Sequence, residues 1–127
     1  MATRTIEATL DSFSVDAGTE ITYLGATSSS NTGESIRGFR VNPGSTGDIT
    51  VTFDKTNGVD TAEIYQEDEY GTGNAPTGYS KYANIVKDGK GKGAVGVTVT
   101  NAAKNYVVLL NLDGYSEVSY NATVVVP

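Results

Sequence analysis

Strict apolar–polar alternation in short Val- and Thr-rich runs constrains this chain more than any other feature. Its clearest instance is Asp48-Ile49-Thr50-Val51-Thr52-Phe53-Asp54, where Ile49, Val51 and Phe53 face one way and Thr50 and Thr52 the other. A period of two sets one row against a core and the other in water, which describes a half-buried strand. Val95, Val97 and Val99 repeat the pattern, and Val118, Tyr120, Ala122, Val124 and Val126 give the last strand one inward row. The run from Asn105 to Leu112 is apolar on both faces and belongs in the middle of a sheet. Shorter alternations occur at Ile6, Ala8 and Leu10, at Ile21 and Tyr23, and at Arg37, Phe39 and Val41. Ala62 to Ile64 and Tyr82 to Val86 read as two further short strands. The 14 Val and 17 Thr against 5 Leu leave almost no helix signal, because β-branched side chains suit a pleated surface.

Gly, Asn, Asp and Ser clusters separate these runs. Asn57-Gly58 reads as a hairpin turn between Phe53 and Ala62, and Asp113-Gly114 as the hairpin joining the last two strands. Asp88-Gly89 opens the loop before Val95, and Ser28 to Gly33 forms a smaller loop. Gln66 to Ser80 is the main irregular stretch, and loops of that length in compact domains are functional or disordered. There is no internal repeat and no linker. The expected fold is all-β: a single antiparallel β-sandwich over residues 1–127, jelly-roll-like, with about eight strands.

Missing residue types remove several kinds of chemistry. With no Cys and no His, disulfides, Cys/His zinc sites, Ser-His-Asp triads and Cys nucleophiles are all excluded. A hydrolase would need carboxylate, Lys or Tyr chemistry. A glycosidase needs two carboxylates facing across a cleft, and no pair stands out. The expectation is therefore no catalytic residue, no cofactor and no enzyme. The net charge of −6 argues against nucleic acid, since phosphate binding needs clustered Lys and Arg. Gly89-Lys90-Gly91-Lys92-Gly93 lacks the ending of a phosphate loop and reads as a solvated turn. No apolar run is long enough for a membrane helix, so membrane insertion is not expected. The first residues carry no signal-peptide core, which implies use without classical secretion or an excised mature domain. Both chain ends are expected to be docked, in their own sheet or against a neighbour.

Two segments resemble a known family. Gly47-Asp48-Ile49-Thr50-Val51-Thr52-Phe53, followed by Asp60 to Tyr65, is one. Asn105-Tyr106-Val107-Val108-Leu109, then Gly114-Tyr115-Ser116 and Tyr120 to Val125, is the other. Residues 47–127 resemble in these the bacterial pre-peptidase C-terminal domain, a small jelly-roll-like sandwich appended to secreted enzymes. The resemblance implies the architecture and carries over no functional residue. In size, class and expected order the chain is also similar in type to phage capsid decoration proteins.

Tyr70, Tyr79 and Tyr82 cluster in and after the long irregular stretch. Tyrosine combines a rigid apolar face with a polar tip, so these three are candidate interface or ligand-binding residues. Arg4 and Thr5, in an N-terminal arm, join them. Arg37 and Arg40 lie on opposite faces of one expected strand, so at least one can point toward a sheet face, as half of a salt bridge or as an interface anchor. Glu67, Asp68 and Glu69 beside a Gly-rich run are a side candidate for Ca²⁺, which takes about 6–8 oxygens; a solvated acidic loop is the simpler expectation. Asn121-Ala122-Thr123 matches a glycosylation sequon inside an expected strand and reads as a chance match.

The expected function is structural and non-enzymatic. The chain reads as a decoration protein on the virion surface, partnered by protein subunits such as a capsid protein. The alternative is an extracellular module that binds a glycan or another surface. An unpaired sheet edge would serve either by strand addition.

Overall fold

The computed structural model describes residues 1–9, 12–24, 38–69, 78–87, 91–112 and 118–127, with backbone alone at 69, 78–82 and 112. Ten strands are present among the described residues: β1 (Ala2–Thr9), β2 (Ser12–Val15), β3 (Ile21–Leu24), β4 (Gly38–Val41), β5 (Gly47–Asn57), β6 (Val59–Glu69), β7 (Gly78–Val86), β8 (Gly93–Val99), β9 (Asn105–Leu112) and β10 (Ser119–Val126). They form two antiparallel five-stranded sheets, ordered β2-β1-β10-β5-β8 and β3-β4-β9-β6-β7.

Without the short strands β2 and β3, the sheets read β1-β10-β5-β8 and β4-β9-β6-β7. In chain order the path crosses repeatedly from one sheet to the other, which is the winding of a jelly roll. The all-β sandwich expected from the alternation is thus present. Ten strands stand against the expected eight or so: β3 is the short alternation at Ile21 and Tyr23, β2 is the strand that no alternation announced, and each adds an edge strand to one sheet.

The inward rows make the core. Ile49, Val51 and Phe53 of β5, Val97 and Val99 of β8, and Tyr120, Ala122, Val124 and Val126 of β10 are all buried. Phe39 of the second sheet packs on Phe53 and Tyr120 of the first, with ring centroids 6.3 Å from each, and those two rings lie 5.3 Å from one another. β9 lies inside its sheet between β4 and β6, and Tyr106, Val107 and Val108 are buried on both of its faces. Both chain ends are docked in the protein's own sheet: Ala2 pairs with Val126, and β1 lies between β2 and β10.

Three expectations are corrected. Asn57-Gly58 is no hairpin turn, because β5 and β6 belong to opposite sheets. Gly58 does take a left-handed φ of 73°, so the chain reverses there, but it reverses across the core. The same holds for Asp113-Gly114, which lies outside the described residues while its flanking strands β9 and β10 sit in opposite sheets. Nor is Gln66–Ser80 one irregular stretch: Gln66–Glu69 completes an eleven-residue β6, and Gly78–Ser80 begins β7. Residues 70–77 lie outside the described set, as do the Ser28–Gly33 loop and Arg37.

Candidate functional site

The expected acidic loop is a strand built around an arginine. Glu67 of β6 is fully buried. The Arg40 Nε donates to both Glu67 carboxylate oxygens, at 3.0 and 3.2 Å, and Nη2 donates to Oε2 at 2.7 Å. Arg40 is in β4 and Glu67 in β6, so the pair bridges the outer face of β9, which runs between them. Phe39 and Val41 on either side of Arg40 point into the core, which turns Arg40 outward. Of the two roles open to Arg40, the salt bridge is the one observed.

Neighbouring polar groups follow suit. Tyr65 donates its hydroxyl to Glu63 at 2.9 Å, Gln66 donates to the Asp68 carboxylate at 2.6 Å, and the Lys104 ammonium donates to the Asp68 carbonyl at 3.0 Å. Glu67 and Asp68 thus accept from protein donors, and this geometry lends no support to a Ca²⁺ site at Glu67–Glu69. No group of three or more carboxylates arranged for a metal occurs among the described residues.

The candidate interface residues fall on two opposite sides of the molecule. Tyr79 and Tyr82 lie on the edge strand β7, and Tyr70 lies outside the described residues. In register, Tyr79 stands opposite Glu67. Tyr82 falls at a break in pairing, between Lys81 opposite Tyr65 and Ala83 opposite Ile64. Arg4 and Thr5 form no arm: they lie within β1, opposite Val124 and Thr123. The Arg4 Nε donates to Glu20 at 2.8 Å, tying β1 to the residue that leads into β3 of the other sheet. Thr5 exchanges bonds with Asp16 beyond β2, donating its backbone N–H to the carboxylate at 3.2 Å and accepting from the Asp16 N–H at 3.1 Å.

Thr5 also lines a shallow hollow of about 250 Å³ with Glu7, Ser14, Val15 and Asp16. Small-molecule pockets run to about 300–1,000 Å³ and are mostly apolar. Two carboxylates, Glu7 and Asp16, stand on the rim of this hollow, and the bonds of Arg4 and Thr5 fasten β1 to its neighbours.

One feature escaped the sequence reading. Phe13 of β2 and Tyr23 of β3 place their rings 5.2 Å apart across the gap between the two sheets, and Tyr23 stays 42 % exposed. Tyr23 belongs to the short alternation with Ile21, whereas Phe13 lies in a four-residue strand, Ser12-Phe13-Ser14-Val15, that holds the same signal in miniature. Behind the pair, the Tyr120 hydroxyl is buried with no hydrogen-bond partner among the described residues. Burial pushes its phenol far above the ordinary tyrosine range, and nearby Tyr23 adds to the shift. Burial also raises Tyr23. This aromatic mouth can stack on a planar or ring-shaped partner.

The sequence matches no family model and no curated protein.

Proposed function

We propose that this protein is a non-enzymatic assembly subunit, a decoration protein on the outside of a viral capsid or similar particle. The observation that carries the reading is how the sandwich is fastened. First and last strands lie side by side over their whole length, from Ala2 opposite Val126 to Thr9 opposite Ser119. Arg4–Glu20 and Arg40–Glu67 add cross-links between strands that are not neighbours. A small, stiffly tied body with a net charge of −6 stays dispersed until it docks. Tyr79 and Tyr82 on the edge strand β7 are the docking residues in this reading, with Tyr70 beside them in sequence.

Sedimentation tests it. A cleared lysate of the source, together with its medium, is fractionated and the chain located by mass spectrometry. The chain is expected with nuclease-resistant particles of viral size, and Tyr79→Ala with Tyr82→Ala is expected to release it. Free chain at 13.3 kDa in the medium would sink the reading.

The second reading is an extracellular glycan- or surface-binding module. The exposed Tyr23 against Phe13 favours it, since an aromatic face held at a sandwich mouth suits a sugar ring. The resemblance of residues 47–127 to pre-peptidase C-terminal domains belongs here, on architecture alone. This reading uses different residues, so the two separate cleanly. Glycan affinity lost in Tyr23→Ala and kept in the Tyr79/Tyr82 double variant would favour the module.

A further inference from the structure

The four sheet edges are not equivalent. β2 and β3 are four residues each, and β7 breaks register three times against β6. Short strands and bulges are the usual ways of blunting an edge against unwanted pairing. β8 has neither protection. Its seven residues pair with β5 in unbroken register, from Gly93 opposite Phe53 to Val99 opposite Gly47, and no strand pairs with its other side among the described residues. Its sequence, Gly-Ala-Val-Gly-Val-Thr-Val, contains no charge and no proline.

Gly96, at the middle of β8, is the second observation. It sits in regular extended pairing opposite Thr50, outside the positive-φ set. A Cβ built there meets nothing within 4 Å. Nothing in the protein's own packing calls for a glycine at this position, yet glycine weakens a strand interior. A strand glycine with no bulge or bend of its own is one of the marks of a place that a ligand or another backbone approaches.

We infer that β8 pairs with β8 of a second copy, antiparallel about a two-fold axis at Gly96, joining two five-stranded sheets into one of ten strands. This axis sets Gly96 opposite Gly96, Val95 opposite Val97, and Ala94 opposite Thr98. The inward valines of each copy continue the buried row of the other. No like charges face each other along the seam. Lys92, one residue before β8, comes to the Thr100 end of the second copy, where Asp48 stands on the adjoining β5 strand and accepts from Thr98. A two-fold contact is self-complementary, and this neutral seam meets that condition. The contact is narrow beside the roughly 1,200–2,000 Å² of stable interfaces, so the dimer is weak and forms at high local concentration.

Analytical ultracentrifugation of the full chain, from about 1 µM to about 1 mM, reads it directly. The wild-type mass is expected to rise from 13.3 kDa toward twice that value. The open space at Gly96 admits Gly96→Lys and Gly96→Glu without disturbing the fold, which circular dichroism checks. Each variant alone brings like charges together at the axis and is expected to weaken the dimer at least tenfold. Mixed one to one, they are expected to recover it. A wild-type mass fixed at 13.3 kDa throughout overturns the inference, as does undiminished dimer in either variant or no recovery in the mixture. No particle or glycan is involved, so the outcome is independent of the proposed function.

Discussion

Arg40 and Glu67 show how one residue pair sets local stability. The carboxylate is fully buried while the arginine side chain remains 23 % exposed, so the arginine links a buried charge to solvent. Removing the arginine strands that charge. Arg40→Ala is expected to cost about 3–5 kcal/mol in urea unfolding. Arg40→Ala with Glu67→Gln is expected to cost less than Arg40→Ala alone, because no charge then stays buried. Tyr120 makes the opposite case, a buried polar atom without a partner among the described residues. Below the ordinary tyrosine pKa of 10.0 its phenol is neutral in both folded and unfolded chains and adds no pH dependence. Above it the unfolded chain loses the proton and the folded one keeps it, so stability falls as pH rises. The slope reaches up to about 1.4 kcal/mol per pH unit for one proton. Tyr120→Phe is expected to hold neutral-pH stability and to flatten this alkaline loss in melting temperatures taken across about pH 9–11.

At the scale of the strand, glycines divide by what surrounds them. Gly38 opens β4 with φ 140°, and a Cβ there would overlap the backbone carbonyl of Val108 on β9. Neither the dihedral nor the neighbouring strand can yield cheaply. Gly38→Ala is expected to cost more than about 2 kcal/mol. Gly96 in β8 has no such neighbour, and Gly96→Ala is expected to be neutral or to stabilise by about 0.5–1 kcal/mol. Denaturant midpoints of both variants, taken on dilute protein, decide the contrast. Equal effects would mean that close backbone packing does not govern these positions. Strand length also belongs to this scale. β6 extends through Gln66–Glu69 because β9 pairs with it as far as Asn105 opposite Glu67, and Arg40 neutralises the charge this places on the sheet.

For the whole molecule, the jelly-roll winding means that five of the eight strand pairings among the described residues join strands far apart in sequence, and only β1–β2, β3–β4 and β6–β7 are consecutive. β1 waits for β10, and β4 waits for β9. Loops must close before such pairs reward the chain, which makes folding slow. Refolding is expected on the millisecond-to-second scale, followed by tyrosine fluorescence, since the chain has 8 Tyr and no Trp. A microsecond phase carrying the full amplitude would contradict this topology. Unfolding is expected to be a single cooperative transition, as one core spans both sheets.

Side-chain alternation by itself determined the strands β5, β8 and β10 and their inward rows, and a run apolar on both faces determined β9 and its central place. A period of two is a local property that any window of residues displays. Asn57-Gly58 likewise announced a reversal, and the left-handed Gly58 makes one. What a turn cannot announce is the sheet that the next strand joins. That is settled by which inward rows pack best over the whole core, here with Phe39 against the Phe53–Tyr120 pair. Arg40 and Glu67 are 27 positions apart, so their pairing waited on the order β4-β9-β6. Tyr79 and Tyr82 are neighbours in the chain, and they sit on an edge strand of one sheet while Arg4 and Thr5 lie within the other. Composition excluded chemistries because a missing side chain is missing in any fold. Which surfaces and edges stay open was decided only by the tertiary structure, because exposure depends on partners that sequence distance does not reveal.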